Sequence, residues 1–323
     1  SKEVMSILSQ YTPVIEQNSI DEAWLDLTGC EALFGSPMEI ARKIMNAIEN
    51  ELGLWCSIGI SENKFLAKMA SDMKKPHGIT ELWKSDIQKK LWPLPTGKMY
   101  GIGRQTEAKL TSLGIFTIGD IAASSKEFLE KRFGKYGSEL YLLANGIDES
   151  VVASGASGDI KSISRSTTLP KDITDIEEAK RILFCLADEV GMDARRHDKK
   201  GKTVSITIKY ADFTAITRQK SLAPTFLTGD IYEAGEELLC ANWNSYKPVR
   251  LLGIGISGFS GEDEAKQLSI FNLMEVDDTK KKKEKLEKTI DNLRMKYGMS
   301  KINRAMLLEK PEKYKPEKYN KSV

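Results

Sequence analysis

The sequence predicts an α+β protein of several domains, and three features of its patterning carry that prediction. Residues 1–82 alternate between helix and strand periodicities. Residues 83–150 hold only short helical stretches separated by glycine. Residues 161–260 pass through strand and helix patterns in the order β-α-β-β-α-β. An apolar repeat near 3.6 residues marks an amphipathic helix, and a repeat of two marks a half-buried strand.

In the first part, Val4, Met5, Leu8 and Tyr11 fall at helical spacing. EAWLDLT at 22–28 alternates around Ala23, Leu25 and Leu27, as a strand does. Ile40, Ile44, Ala47 and Ile48 make the apolar stripe of a helix over 39–52. A short strand over 55–60 and a helix over 63–73 complete an α/β layer. In the middle part, Gly101, Gly103, Gly114, Gly119, Gly134, Gly137 and Gly146 punctuate short helices, the pattern of a small all-helical domain. Residues 151–160 (VVASGASGDI) are small and read as a linker.

The third part has strands at 161–169, 203–210, 215–222 and 249–259, with helices at 175–197 and 229–243. That order suggests a split βαβ sheet with both helices on one face. Residues 261–323 form a charged tail with a lysine run at 280–283 and a helix through Met295.

Composition excludes several classes. Lys and Arg number 48 against 46 Asp and Glu, a net charge of +2, so any basic surface must be local. Cys30, Cys56, Cys185 and Cys240 stand far apart without a CxxC pair, which reads as buried thiols in a reducing cytoplasm. No apolar run approaches the roughly 20 residues of a membrane span, and no signal peptide pattern opens the chain. The chain begins at Ser1 inside a helical pattern, as a fragment would. His77 and His197 have neither triad nor metal-ligand spacing and read as structural or exposed.

Five segments carry chemistry. Asp21-Glu22, in SIDEAWLDLTG, places two carboxylates where a hard divalent cation such as magnesium could be held, given a bend at the strand start. Within GISENKFLAKMASDMKKPHG, Lys64 and Lys68 share a helix face, read as solvated, while Lys75 is fixed at a corner by Pro76. Tyr100-Gly101-Ile102-Gly103 resembles a helix-hairpin-helix turn, whose backbone N–H groups can hold a phosphate whatever the base. Between Arg195 and Lys220 lie Arg195, Arg196, Lys199, Lys200, Lys202, Lys209, Arg218 and Lys220 against Asp198 and Asp212, a local balance of +6 that suits tracking a phosphate backbone. Gln267-Leu268-Ser269-Ile270-Phe271 offers a Gln and spaced apolar anchors for an extended peptide in a groove.

Taken in order, SIDEAWLDLTG, the lysine helix, YGIG, GSELYLLANGID and KSISRSTTL resemble the signatures of Y-family translesion DNA polymerases of the bacterial DNA polymerase IV type, over residues 1–260. The resemblance implies a partial palm (1–82), a small helical thumb with a helix-hairpin-helix (83–150), a linker (151–160), a β-α-β-β-α-β little finger (161–260) and the tail (261–323). It implies that Asp21 and Glu22 bind metal and act in catalysis, in an enzyme using two Mg2+ ions, and that Lys75 holds the incoming deoxynucleoside triphosphate. Gly101, Gly103 and Lys109 in the thumb, with Arg165, Arg218, Lys220 and Arg250 in the little finger, would contact primer-template DNA. Gln267, Leu268, Ile270 and Phe271 would dock on a sliding clamp. A monomer acting in the DNA-damage response is implied, with no membrane partner.

The family's first-strand aspartate, fingers and steric gate would precede Ser1, so this chain alone is expected to lack polymerase activity. Asp26 is not a convincing replacement for that aspartate. The non-enzymatic alternative is a catalytically dead DNA- and clamp-binding chain. A helix-hairpin-helix glycosylase or nuclease has no catalytic Lys–Asp arrangement after the hairpin to support it.

Overall fold

The structure is a computed structural model that describes residues 1–153, 160–259, 276–299, 301, 302 and 304. It divides into two compact units, Ser1–Gly158 and Asp159–Val323.

The first unit opens with α1 (Lys2–Leu8) and a hairpin of β1 (Ile15–Gln17) and β2 (Ala23–Leu25). The expected strand over 22–28 is cut to three residues. Beyond β2 the Asp26 carboxylate turns back to accept the Thr28 N–H at 2.9 Å, a local turn that competes with pairing. The short helix α2 (Glu31–Phe34) leads into α3 (Pro37–Leu52). The ends of α3 are written in the sequence: Ser36 and Glu39 form a capping box, Pro37 opens the helix, and Gly53 closes it with a left-handed φ of 65°. The apolar stripe Ile40, Ile44 and Ile48 packs on Ile7 and Leu8 of α1.

β3 (Ile58–Ile60), α4 (Lys64–Met73) and β4 (Ile79–Glu81) follow, with β3 and β4 parallel. The expected strand over 55–60 starts only at Ile58, and Trp55 is exposed. Glycine is required at position 59, because a Cβ there would collide with the Ala67 carbonyl of α4. The short helices α5 (Ile87–Lys90), α6 (Arg104–Ser112), α7 (Ile118–Ala123), α8 (Lys126–Phe133) and α9 (Lys135–Ala144) complete the unit. Phe65, Leu66, Met69 and Ala70 of α4 share a core with Leu91, Leu110, Ile118, Leu129 and Leu140 of this helical part. A boundary drawn at residue 82 therefore crosses a continuous core.

The second unit carries β5 (Ser162–Ile173), α10 (Ile176–Arg196), β6 (Gly201–Tyr210), β7 (Ala215–Thr225), α11 (Thr228–Asn242) and β8 (Val249–Phe259). The sheet order is β5-β8-β6-β7, antiparallel throughout, so each βαβ crossover spans one intervening strand. Both helices pack on one face over Val204, Ile206, Ile208, Leu252, Ile254 and Ile256. The opposite face presents small or polar side chains in register: Ser164, Gly255, Ser205 and Gln219 in one row, and Ser166, Gly253, Thr207 and Thr217 in the next.

The tail region holds α12 (Val276–Tyr297), which docks through charge. Arg195 of α10, 1% exposed, donates to Asp291 at 2.5 and 3.0 Å and lies 3.4 Å from Glu287. The same guanidinium bonds the Phe226 carbonyl at 2.9 Å. Asp188 accepts from Arg294 at 2.7 Å and from Arg304 at 3.0 Å, and Arg304 also pairs with Glu287. Arg195, Arg294 and Arg304 thus balance Asp188, Glu287 and Asp291. This corrects the sequence expectation at Arg195, which is spent inside the fold and adds nothing to a basic surface. The cysteines are free thiols, and Cys240 is exposed where the sequence suggested burial. Among the described residues no helix is long and apolar enough to cross a membrane.

Removing one partner of a buried, multiply bonded ion pair strands the other charge and costs about 3–5 kcal/mol. Arg195→Met is expected to lower the urea-unfolding free energy of the second unit by that order. A loss below about 1 kcal/mol would mark the network as ordinary surface pairing.

Candidate active site

The site is organised by α4. Asn63 caps its first turn, accepting the Leu66 N–H at 2.9 Å. Asp148, at the end of GSELYLLANGID, accepts the Phe65 N–H at 3.0 Å, and Asn63 donates to the Gly146 carbonyl at 3.0 Å. That segment therefore fastens the start of α4.

Lys64, Lys68 and Asp72 recur every four residues along the polar face of α4, and the β1–β2 hairpin lies against them. The Trp24 indole donates to the Lys64 carbonyl at 3.1 Å, and the Lys64 ammonium sits 4.6 Å from the Trp24 ring centre. Lys64 bonds both oxygens of Glu16 at 2.7 Å, and the Ala153 N–H adds a bond at 2.8 Å. The Ala153 and Lys64 bonds hold the Glu16 carboxyl below the usual glutamate range.

Asp21 and Glu22 stand in the hairpin loop. Asp21 is exposed, with its carboxylate accepting from the Ser19 hydroxyl. Glu22 accepts from Lys68 at 2.8 Å and from Asn18 at 3.1 Å. Lys68 also reaches Asp72 at 3.1 Å, and the other Asp72 oxygen takes Lys75 at 2.6 Å. Burial pulls the Lys68 ammonium down, but its bonds to Glu22 and Asp72 more than offset this and place it above the ordinary lysine range. Burial pushes the Asp72 carboxyl up, and Lys75 and Lys68 together bring it below its ordinary value. Tyr100 of YGIG approaches the same cluster, 5.8 Å from the Lys68 ammonium and edge-on to Trp24 at 6.4 Å.

The structure thus brings Glu22 and Lys75 into one chain of charges, with Asp21 beside Glu22. It overturns the reading of Lys64 and Lys68 as solvated, since their side chains are 14% and 12% exposed. The structure adds Asp72, Trp24 and Tyr100 to this cluster. The four-residue repeat Lys64, Lys68, Asp72 was the available signal, since it puts all three on one helix face.

In the hairpin turn Gly101 takes a left-handed φ of 91°, and its carbonyl accepts from the Tyr136 hydroxyl at 2.8 Å. Gly103 is the N-cap of α6, and no side chain caps the helix there. Lys109 is exposed on α6, where it donates to the Arg132 carbonyl and lies over the Phe133 ring. In the second unit Arg165 lies on edge strand β5, Arg218 and Lys220 on edge strand β7 and Arg250 at the start of the inner strand β8, each with a partner: Arg165 with Asp193, Arg218 with Asn242 at 3.0 Å, Lys220 with Glu237, and Arg250 with Asp172 at 3.0 Å. Gln267, Leu268, Ile270 and Phe271 lie outside the described residues.

This layout matches known proteins segment by segment. The impB/mucB/samB family description fits residues 1–72, a DNA polymerase-iota thumb domain fits 97–148, and the impB/mucB/samB C-terminal domain fits 160–270. DNA polymerase IV of Clostridium kluyveri is 56% identical over 313 residues, which are 96% of this chain and 78% of that protein. The chain belongs to the Y-family DNA polymerases. DNA polymerase IV of Alkaliphilus oremlandii is 54% identical over 96% of this chain and 79% of that protein. Among solved structures, the Y-family DNA polymerase chimera Dbh-Dpo4(243-245)-Dbh superposes with a TM-score of 0.69 at 27% identity, covering 80% of this chain and 75% of that one. Membership makes this Y-family chain part of a DNA-directed DNA polymerase family, with DNA as substrate. It also accounts for the α+β multidomain fold and its helix-hairpin-helix thumb.

Glu16 gives a pH test of the hairpin anchor. A carboxyl whose folded pKa is depressed contributes stability that is full above its unfolded pKa and lost as pH falls through the folded one. Wild type is therefore expected to melt above Glu16→Gln at neutral pH, with the gap closing as the solution is acidified. A gap that is constant with pH would show that the Glu16 charge does not anchor the hairpin.

Proposed function

We propose that this chain serves translesion DNA synthesis, joining a primer 3′-hydroxyl to a deoxynucleoside triphosphate by two-metal phosphoryl transfer. The observation that supports this reading is convergence. The Asp21-Glu22 hairpin, the Lys68–Asp72–Lys75 side of α4 and Tyr100 of the thumb turn are far apart in sequence and meet in one cluster.

Asp21 and Glu22 are hard oxygen donors on adjacent residues. Magnesium is commonly held by one or two carboxylates with substrate phosphates and water completing its shell, so this pair fits. Bound magnesium supplies neutralisation of phosphate charge and a lowered pKa for the attacking hydroxyl. Lys75, 56% exposed at the corner after α4, meets the triphosphate as a point charge.

On this reading DNA is gripped by its backbone. Gly101 and Gly103 offer N–H groups at the uncapped start of α6, and Lys109, exposed on the same helix, meets the backbone as a point charge. Arg165, on edge strand β5, and Arg218 and Lys220, on edge strand β7, stand on the helix side of the sheet by register, and Arg250 lies at the start of the inner strand β8. Half-exposed ion pairs are worth little, so Arg165, Lys220 and Arg250 can exchange their carboxylates for phosphates at small cost, and Arg218 has the Asn242 amide oxygen to give up. Contacts of this kind carry no base information and tolerate a damaged template. The protein works as a monomer, and Gln267, Leu268, Ile270 and Phe271 tether it to a sliding clamp, raising its local concentration on DNA.

Four phosphate contacts at about 0.9 each give a log Kd against log salt slope of about 3.6 for primer-template DNA, nearly independent of sequence. Each of Arg165→Ala and Arg218→Ala is expected to lower the slope by about 0.9. A flat salt dependence would remove the proposed grip.

In primer extension by the polymerase, Asp21→Ala and Glu22→Ala are each expected to cut kcat more than about 100-fold, because even outer-shell partners of a metal cost 10–100-fold. DNA affinity should hold. Near-normal extension by either variant contradicts the metal assignment. Gln267→Ala combined with Phe271→Ala is expected to abolish clamp binding in calorimetry while the melting temperature stays put; retained binding would move the docking site elsewhere.

A further inference from the structure

Lys68 and Asp72 have no assigned part in catalysis, yet they occupy the only described path of ion pairs from Glu22 to Lys75. The path alternates in sign: Glu22 to Lys68 at 2.8 Å, Lys68 to Asp72 at 3.1 Å, and Asp72 to Lys75 at 2.6 Å. Its two middle members are fixed on one helix four residues apart. Lys68 is 12% exposed, boxed in by the hairpin and the Tyr100 ring, and its ammonium pairs with these two carboxylates. At the outer ends, Glu22 and Lys75 are 37% and 56% exposed and open to ligands.

We propose that Lys68 and Asp72 are positioning residues that form an exchange relay, coupling cation binding at Glu22 to triphosphate binding at Lys75. This rests on the reading of Glu22 and Lys75 given above. With neither ligand present, Lys68 stands in for a metal cation against Glu22, and Asp72 stands in for a phosphate against Lys75. Glu22 cannot give its full charge to a divalent ion while sharing Lys68, and Lys75 cannot give its full charge to a phosphate while sharing Asp72. When Lys75 turns to a triphosphate, Asp72 loses one of its two cations and draws Lys68 more strongly. Lys68 then leans away from Glu22 and frees that carboxylate. By linkage the effect is reciprocal, so freeing Lys68 from Glu22 releases Lys75 from Asp72 to the same extent. The nucleotide thereby prepares the carboxylate that its own metal needs, through residues that touch neither.

The relay makes a prediction of sign that a purely structural role does not. Asp72→Asn releases Lys75 but leaves Lys68 wholly on Glu22. Triphosphate should bind tighter and the divalent ion weaker, each by about three- to fivefold, the upper range for exposed ion pairs. Lys68→Gln releases Glu22 but leaves Asp72 wholly on Lys75, so the two shifts should reverse. The double variant should bind both ligands more tightly than wild type, and Lys68→Arg should resemble wild type.

The experiment measures two separate affinities of the full chain: Mn2+ alone, by electron paramagnetic resonance of the free ion, and a fluorescent deoxynucleoside triphosphate in EDTA, by anisotropy. Thermal melting checks that each variant folds. Opposite shifts in Asp72→Asn, mirrored in Lys68→Gln, support the relay. Shifts of the same sign in both ligands, or none, overturn it. Glu22→Gln and Lys75→Ala separate the two layers of the argument. If they lose Mn2+ and triphosphate respectively, the site reading stands and the relay is judged on its own variants. If they bind as wild type does, the site reading fails and the relay falls with it.

Discussion

One helix with two incompatible faces carries the first unit. The apolar face of α4 completes a core with the short helices after it, and its polar face holds Lys64, Lys68 and Asp72 against the β1–β2 hairpin. A helix repeats every 3.6 residues, so residues four apart return to nearly the same side. That periodicity lets one element deliver buried packing on one side and a row of charges on the other. Its start is fastened by Asp148 and by Asn63, and the hairpin is stitched to it by Trp24 and Glu16. The carboxylates of the loop therefore take their position from packing that lies outside the loop.

Much of this could be read from the sequence. The ends of α3 follow from Ser36, Pro37, Glu39 and Gly53, because caps are local chemistry. The little-finger order followed from the switch between periods of two and 3.6, and its eventual pairing kept every buried isoleucine of β6 on the helix side. What escaped were partners distant along the chain. Lys68 meets Glu22 across 46 residues, and Arg195 meets Asp291 across 96. A lysine or arginine on a helix reads as solvated until the opposing carboxylate is known. The strands of the first unit were over-extended for a related reason: alternation at 22–28 continued after the three-residue partner strand had run out.

The little finger separates its polar resources by location. Arg165, Arg218 and Lys220 stand on the edge strands on the helix side, each held by a side chain of its own domain, while the open face is kept low by Ser164, Ser166, Gly253, Gly255, Ser205 and Thr207. Short hydroxyls and bare backbone let a smooth, charged rod come close without meeting anything that discriminates one base from another. The carboxylates of Asp193, Glu237 and Asp172 offset the charges of Arg165, Lys220 and Arg250 in the free domain.

The docking of α12 redraws the limits of that domain. The family's C-terminal description ends at residue 270, ahead of a helix that begins at Val276. Arg195 and Asp188 belong to the sheet-and-helix body, but their counter-charges Asp291, Glu287 and Arg294 ride on α12. A little finger transplanted into another polymerase as residues 160–270 would carry two buried ions without their mates. The donor segment for such a chimera must run through Tyr297 at least. The acceptor must supply neither its own acid at the Arg195 pocket nor its own base at the Asp188 pocket.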